Sequence, residues 1–410
     1  MKNSAAKIEI CDKLQQLLNV ASNLKVSSRI KLRILKCYIY SQLSFDLRLY
    51  EFGVTWVEQN LVQMCTNSVR IWLDMPVSSC IAEFMALPKK KAGLGIPTLA
   101  NVYSKQWLSK RYKMKTNDQE EIRHLWNVSS GKHVETDAIL IESHDFKQAS
   151  TKLKAKQQET ITEHIDSLES QGIVARSVRE SIPTKNITAW STHTEKLPDH
   201  LFRFSRRALQ QQLPTAANLT RWSCSTDPMC SLCKAGKKQS NKHVLSNCSS
   251  PIALQRYTDR HNAVLETIVG WLASVLPPDR RLLADLDGGK YGSVEEVFSK
   301  DRRPDIVILD KEPKIVVLEL TVCHETNLEN SKEYKLNKYR DLSKFIQPNF
   351  RGHQLETFTI EVSVLGFVSS LSSFSKAVSI PSMSNNLLKS IIYEAINHSY
   401  NIYRNRNSAQ

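Results

Sequence analysis

Hydrophobic positions recur at helical spacing through residues 3–115, and this pattern predicts a mostly helical segment. In "SSRIKLRILKCYIYSQLSF" basic and apolar faces alternate, and Ser28 is the predicted helix cap. A later helix is predicted to end at Pro76, since proline cannot continue a helix. The apolar stripe of that helix consists of Leu61, Met64, Cys65, Ser68 and Trp72.

The next segment, residues 116–197, is polar and weakly patterned, and we predict a helical connector there. Within it, "SLESQGIVARSVRESIPTKN" indicates two helices separated at Gly172. Residues 198–255 begin with the basic and aromatic stretch "LFRFSRRALQQQLPTAANLTRW". Two interpretations of this stretch remain open: a face that binds nucleic acid, or an amphipathic helix that packs on the following unit.

Residues 256–400 carry the strand patterns. "RRPDIVILDKEPKIVVLELTV" contains two short apolar runs around a turn, and "FTIEVSVLGFV" alternates and is rich in β-branched residues. We therefore expect an α+β fold. It should have a helical N-terminal half, a small zinc-binding segment and a C-terminal mixed sheet flanked by helices.

The chain is basic, because 56 Lys and Arg face 41 Asp and Glu, giving a formal net charge of +15 and a pI near 9.3. This charge fits either a soluble protein with a basic surface or a protein that binds a polyanion, since clustered cations release counterions from phosphate. No uncharged apolar run reaches about 18 residues, so we expect no membrane span. The charges in "MKNSAAKIEICDKLQQLL" are atypical of a signal peptide.

Cysteines cluster in "CSLCKAGKKQSNKHVLSNC", where the spacing is C-x2-C-x9-H-x4-C. Three thiolates and one imidazole predict a closed tetrahedral Zn2+ site with a structural role, in a reducing compartment. The alternative is a set of unrelated buried thiols and a surface histidine. Cys224 is a further thiol that could displace one ligand. The predicted ligands are Cys230, Cys233, His243 and Cys248.

Two carboxylates mark the strand pair, Asp305 at the start of the first strand and Glu319 inside the second. A hairpin turn at "DKEPK" would bring them side by side, at a free-energy cost that a divalent cation such as Mg2+ relieves. The order P-D, acid-x-x, lysine is typical of restriction-enzyme-like nucleases. Here Thr321 occupies the usual lysine position, so Lys335 on the following helix must supply the charge. The alternative is a surface hairpin in which Asp305 caps a turn and Glu319 lies on the solvent-facing side.

Together these segments resemble the C-terminal part of polyproteins from site-specific, LINE-type non-LTR retrotransposons that carry a restriction-like endonuclease. Residues 3–115 resemble the thumb of a reverse transcriptase, and "DPMCSLC" with "KHVLSNC" resembles its CCHC zinc knuckle. "RYTDRHNAVLETIVGWL" resembles the helix that opens the endonuclease. "RRPDIVILD", "VVLELTV", "YKLNKYRDL" and "IEVSVLGFV" resemble its PD-(D/E)xK-like core.

The resemblance assigns roles to individual residues of this chain. Asp305 and Glu319 match the acids that bind the catalytic Mg2+, and Lys335 and Tyr339 match the lysine and tyrosine of the next helix. The four predicted zinc ligands match the family's knuckle. The implied nucleic-acid contacts are Arg260, His261, Asn262 and Lys338.

By the same resemblance, the protein is a Mg2+-dependent endonuclease that nicks target DNA, and the freed 3′ hydroxyl primes reverse transcription of the element's RNA. DNA is then the substrate, the element RNA a further partner, and the nucleus the expected location. The alternatives are a non-catalytic nucleic-acid-binding protein derived from such an element and a decayed copy without a function.

The sequence departs from the family at several positions. Cys323 and His324 stand where many relatives have Pro-Trp after "ELTV", and Val364 and Leu365 precede Gly366 where relatives often have Cys-Arg. The chain also contains no Asp-Asp pair, which the family's polymerase palm uses to hold metal ions. We therefore expect a fragment, a decayed copy or a gene captured by a host, and not a complete reverse transcriptase.

Overall fold

The computed structural model of the protein describes residues 2–129, 134–286, 290–310 and 313–408. The chain forms two compact units, Met1–Gly172 and Ile173–Gln410. The division between them falls inside the segment predicted to be a connector, 116–197. The functional assignment of the four predicted segments, 3–115, 116–197, 198–255 and 256–400, stays a prediction.

In the first unit, every regular element among the described residues is a helix, which confirms the helical prediction. The α-helices are α1 (Lys2–Asn23), α2 (Ser28–Ile34), α3 (Tyr40–Leu49), α4 (Val54–Val57), α5 (Gln63–Leu73), α6 (Ile81–Ala86), α7 (Leu99–Lys115), α8 (Glu120–Ser129), α9 (Val134–Ile141) and α10 (Phe146–Ser167). The π-helical turns Leu35–Ile39 and Glu58–Val62 connect α2 to α3 and α4 to α5.

Two helix ends of this unit show how the sequence specifies them. The prediction that Ser28 caps α2 was wrong, because Ser27 is the N-cap residue. The Ser28 hydroxyl is buried and donates to the Trp72 carbonyl oxygen at 2.6 Å, which ties α2 to α5. Helix α5 ends at Leu73, where Asp74 adopts a left-handed conformation shortly before Pro76.

The second unit combines helices with the only sheet among the described residues. It begins with α11 (Ile173–Ser181), α12 (Thr184–Thr194), α13 (Asp199–Leu209), α14 (Ala216–Arg221), the π-helical turn His243–Asn247 and α15 (Pro251–Val275). The sheet region follows as β1 (Arg281–Ala284), β2 (Ile306–Leu309), β3 (Lys314–Cys323), α16 (Leu328–Lys338), β4 (Gln354–Ser363), α17 (Ser372–Ala377) and α18 (Asn385–Arg404). No helix in the described ranges is both long and apolar enough to cross a membrane.

Helix α13 resolves the two interpretations of "LFRFSRRAL". It buries Phe202, Phe204 and Arg206, and the Arg206 guanidinium lies 4.7 Å from the ring centroid of Trp190 on α12. Trp190 in turn stacks on Phe367 after β4, with ring centroids 4.1 Å apart. The packing interpretation is therefore correct, because this arginine and both phenylalanines lie inside the unit.

The sheet has the strand order β1-β2-β3-β4. The β1–β2 and β2–β3 pairs are antiparallel, and β3–β4 is parallel with α16 in the crossover. The mixed sheet flanked by helices was predicted, and the α+β class is confirmed. Lys311 and Glu312, in the predicted turn between β2 and β3, lie outside the described residues.

Strand β3 is buried on both faces, so its apolar run is nearly continuous instead of alternating. Ile315 and Val317 belong to the same core as Tyr339 and Leu342, two residues that follow α16 in the chain. Helix α15 also contacts β3 and packs along α18. Because side chains alternate along a strand, Glu319 points to the same face as Ile315 and Val317.

The turn after β4 joins this sheet to the helices. The Val364 carbonyl accepts from the Ser399 hydroxyl of α18 at 2.6 Å, and the Leu365 carbonyl accepts from Trp190 Nε1 at 2.6 Å. Gly366 has a φ of +81°, and a Cβ placed there would lie 2.9 Å from Ile392 Cα. Glycine is required at this position by both its left-handed backbone and the closeness of α18.

We predict that Gly366→Ala destabilises the second unit by about 3 kcal/mol, through backbone strain and a clash with backbone that cannot move away. The matched control is Gly270→Ala on α15, where nothing lies within 4 Å of the new methyl group. That substitution should be neutral or stabilise by up to about 1 kcal/mol. Chemical denaturation of both variants measures the difference, and equal midpoints would contradict the prediction.

Candidate functional site

The zinc-binding segment is built from a tight loop and a π-helical turn. Cys230 and Cys233 lie on the loop, His243 begins the turn His243–Asn247, and Cys248 directly follows it. The turn thus carries His243, whereas Cys248 lies just beyond it in an extended conformation. Of the four lysines between the ligand pairs, Lys242 is half-buried and the other three are exposed, namely Lys234, Lys237 and Lys238.

The ligand atoms of these four residues all lie within 4.8 Å of one another. The Cys230 and Cys248 sulfurs are 4.0 Å apart, and Cys233 Sγ is 3.5 Å from His243 Nε2. A tetrahedral zinc with Zn–S near ~2.3 Å and Zn–N near ~2.0 Å separates its ligand atoms by roughly 3.5–3.8 Å. Donor type and spacing therefore fit Zn2+.

The electrostatics of the cluster also suit a metal. Burial, followed by the charge of Lys237, lowers the pKa of His243 and favours the neutral imidazole that binds metal. Burial raises the pKa of the Cys230 thiol. Burial also opposes ionisation of Cys233, but hydrogen bonds, first from the Ala235 backbone, bring its pKa below the ordinary value. Metal binding must release the remaining protons.

Cys224 does not join the cluster. Its side chain is exposed and its sulfur donates to the Trp222 carbonyl at 3.5 Å. All nine cysteines lie within the described residues and are free of disulfides. Among the described residues, the four predicted ligands form the only group of three or more His, Cys, Asp or Glu side chains that lie close enough together to hold one metal ion.

The two predicted nuclease acids do lie side by side in the sheet. Asp305 directly precedes β2, whose Ile306 pairs with Leu318, so Asp305 is opposite Glu319. The Asp305 backbone N–H donates to Glu319 Oε2 at 3.1 Å, and the Leu320 backbone N–H donates to Asp305 Oδ2 at 2.7 Å. This mutual bonding fixes both carboxylates. The interpretation of a solvent-facing Glu319 was wrong, since this side chain is 1% exposed.

Helix α16 brings two further groups to Glu319. The ammonium of half-buried Lys335 forms an ion pair with Oε1 of the buried Glu319, and the Tyr339 hydroxyl donates to the same oxygen at 3.1 Å. Lys335 thus reaches Glu319 from the helix, as the absence of lysine at Thr321 required. The Thr321 hydroxyl has no hydrogen-bond partner among the described residues.

Burial shifts the titration of this cluster. Burial, and then repulsion by Asp305, raises the pKa of Glu319 in spite of Lys335. Burial and the Glu319 charge raise the pKa of Tyr339, which stays a neutral hydrogen-bond donor. Burial and neighbouring Lys335 lower the pKa of Lys338.

Three of the predicted nucleic-acid contacts lie near this cluster. His261 Nε2 is 3.5 Å from Asp305 Oδ2, and its Nδ1 is 3.2 Å from Asn262 Oδ1. Burial alone would lower the pKa of His261, but its hydrogen bond to Asp305 raises it above the ordinary value. Lys338 Nζ lies 3.1 Å from the Tyr339 hydroxyl.

Arg260 does not fit the predicted contact with DNA, because its side chain is 1% exposed. One guanidinium nitrogen donates to the Leu245 carbonyl at 2.8 Å and to the Ser399 hydroxyl at 3.0 Å. Burial lowers its pKa to about 10, which still leaves it charged near neutral pH. The structure places Arg260 between the zinc-binding segment and α18, where it cannot reach a ligand.

Both carboxylates keep acceptor capacity for a cation. Each carboxylate oxygen can accept two hydrogen bonds. Glu319 Oε1 accepts from Lys335 and Tyr339, whereas Oε2 accepts only from the Asp305 backbone among the described residues. The described protein groups around Asp305 bond to Oδ2. Hard divalent cations prefer oxygen ligands of this kind.

Sequence reasoning missed the residues that support these sites. The Tyr257 hydroxyl of α15 donates to the Val244 carbonyl at 2.8 Å and accepts from the Cys248 backbone N–H at 3.1 Å. His324, noted only as a departure from the family, is buried and accepts from the Thr326 backbone N–H through Nδ1 at 3.3 Å. The Tyr257 contacts join separate elements, so no pattern in the sequence signals them. The His324 contact is a local cap of the turn Glu325–Asn327.

Residues 176–254 match the family model described as zinc-binding in reverse transcriptase. The matched segment runs from α11 to the start of α15 and contains all four ligands of the cluster. The similarity relates this chain to retroelements. A comparison with curated proteins finds no match. Together, the match and the ligand geometry support Zn2+ as the metal of this segment.

We predict that Cys248→Ser removes most of the bound zinc and lowers the thermal stability of the second unit, because an intact set of four ligands supplies folding free energy. Cys224→Ser is the matched control, since this thiol lies outside the cluster. Metal analysis of the purified proteins, together with their melting temperatures, tests the prediction. Equal zinc content in both variants would contradict it.

We predict that Lys335→Met destabilises the metal-free protein by about 3 kcal/mol near neutral pH, because the change leaves a buried charge unpaired. This loss of stability relative to wild type should shrink as the pH falls to about 5. Because the pKa of Glu319 is raised in the folded protein, the folded variant binds a proton at a higher pH than the unfolded chain does, and the unpaired charge disappears.

The matched control for this pH dependence is Lys332→Met, an exposed lysine on the same helix. It should have a small effect at every pH. Adding Glu319→Gln to Lys335→Met should abolish the pH dependence, and a pH dependence that survives in this double variant would contradict the assignment to Glu319. Urea denaturation across the pH range provides the measurement.

Proposed function

We propose that this protein is a metal-dependent DNA endonuclease from a LINE-type retroelement, with its reaction centre at Asp305 and Glu319. The observation that carries the proposal is the convergence of these two carboxylates with Lys335 and Tyr339. They meet where α16 packs against the β2–β3 pair, in the same unit as a zinc-binding segment similar to that of reverse transcriptases. Burying such a group of charges is costly without a function that requires it.

Each residue has a chemical task in this proposal. Asp305 and Glu319 would hold Mg2+, which supplies Lewis-acid polarisation of a phosphodiester and lowers the pKa of bound water. Lys335 neutralises Glu319 and lies where an ammonium stabilises negative charge developing on phosphate. Tyr339 and His261 orient the two acids, one on each carboxylate.

The substrate follows from charge and ancestry. The net charge of +15 suits a polyanion, and the similarity to a reverse-transcriptase segment favours nucleic acid. Within the retroelement interpretation, the nick in target DNA supplies the 3′ hydroxyl that primes copying of element RNA, and the protein acts in the nucleus.

The experiment is a nicking assay on supercoiled plasmid with and without Mg2+. We predict that Asp305→Asn and Glu319→Gln each reduce nicking by at least about 100-fold, since each removes a charged metal ligand. Glu329→Gln, on the exposed side of α16, is the matched control and should retain activity. Mg2+-dependent nicking that survives in both acid variants would refute the assigned centre.

A second candidate function is nucleic-acid binding without catalysis. It is favoured by Glu319 already being neutralised by Lys335 and bonded on both oxygens. Absence of nicking by folded wild-type protein, with DNA binding that weakens steeply with salt and is unchanged by Asp305→Asn, would establish this candidate in place of the nuclease.

A further inference from the structure

The zinc-binding segment touches the sheet region through two cations that sequence patterns did not single out for this purpose. Lys242, directly before the ligand His243, donates to Thr326 Oγ1 at 3.0 Å and to Asn327 Oδ1 at 2.8 Å. Arg260 donates to the Leu245 carbonyl inside the π-helical turn. The residues of the zinc-binding segment that make these bonds, Lys242 and Leu245, both lie within two residues of His243.

The Lys242 contact leads to Glu319. Thr326 and Asn327 form the short turn Glu325–Asn327 that joins β3 to α16, and Asn327 is the N-cap residue of α16. Helix α16 carries Lys335, which pairs with Glu319. A shift of this turn would therefore move the ammonium relative to the carboxylate.

The Arg260 contact leads to Asp305. Arg260 is fixed by the zinc-binding turn and by Ser399, and the next residue of α15, His261, lies against Asp305. Because a helix transmits the position of one residue to its neighbour, a change at Leu245 alters the position of His261. Glu319 is thus linked to the zinc-binding segment through α16, and Asp305 is linked to it through α15.

The turn Glu325–Asn327 is also tied to the sheet region by its own residues. Glu325 is buried, and its Oε1 accepts from the Leu365 backbone N–H at 3.0 Å. His324 is buried beside it and caps the turn. This network leaves the turn few ways to move independently of the sheet.

We infer that the zinc-binding segment is a positioning element of the acid pair, with Lys242 and Arg260 as its positioning residues. The inference deepens the proposed function and rests on it for its catalytic meaning, but its structural content does not depend on nuclease activity. Zinc loading then orders the π-helical turn, and the turn fixes Lys335 and His261 against Glu319 and Asp305.

Residue-resolved hydrogen exchange reads this geometry directly. The backbone amides of Asp305 and Leu320 donate to the two carboxylates themselves, so their exchange reports whether the acids keep their arrangement. The amide of Val317, in the middle of the β2–β3 pairing, reports the sheet alone. Zinc content is measured on the same samples.

In zinc-loaded Lys242→Met we expect exchange at Asp305 and Leu320 to accelerate by about 10-fold, with Val317 unchanged. Lys242→Arg, which keeps a donor, should restore protection. Lys238→Met, an exposed lysine in the same segment, is the matched control and should behave as wild type. Wild-type exchange at both amides in zinc-loaded Lys242→Met would overturn the inference.

Zinc removal by a chelator tests the same link without a substitution. Faster exchange at Asp305 and Leu320 with Val317 unchanged supports the inference, whereas equal acceleration at Val317 counts against it, because the whole sheet has then opened. Loss of protection confined to residues 230–248 overturns it, because the segment would then unfold alone. The nicking assay stays separate: no nicking with the predicted exchange pattern refutes the nuclease only, whereas nicking with unchanged exchange refutes the positioning role.

Discussion

The buried carboxylate of Glu319 is the constraint on which the second unit depends. A charge this deeply buried is tolerated only with nearby donors, and three groups supply them: a backbone amide at the start of β2, Lys335 and Tyr339. These donors come from two elements separated along the chain from β3. The positions of β2 and α16 relative to β3 are therefore fixed by the need to solvate one side chain.

The zinc-binding segment is packed against the sheet region by hydrogen bonds on two sides. Strand β3 continues into a turn that Lys242 bonds, and α15 carries Arg260 to the π-helical turn and His261 to Asp305. Tyr257 closes the turn next to Cys248. A metal site and an acid pair that look independent in sequence share a common frame of hydrogen bonds.

Two kinds of observation support the function proposed for this unit. Similarity over residues 176–254 relates the chain to retroelements and to zinc binding. The nuclease interpretation relies instead on physical chemistry: two carboxylates held together by mutual backbone bonds, a raised Glu319 pKa, and cations close by. Structural ion pairs also produce such shifts, and Arg206, buried against Trp190, shows that this chain also buries a charge within its helix packing.

The sequence by itself determined the α+β class, the helical first unit and the four zinc ligands, because periodicity and ligand spacing are local properties. It also predicted that Lys335 reaches Glu319 from the following helix, since Thr321 occupies the usual lysine position after the acid. Tertiary structure alone decided that Ser28 bonds Trp72, that α13 faces inward and that Arg260 is buried. Whether a basic side chain meets solvent or a carbonyl depends on partners far along the chain, such as Ser399 for Arg260, and local patterns contain no information about them.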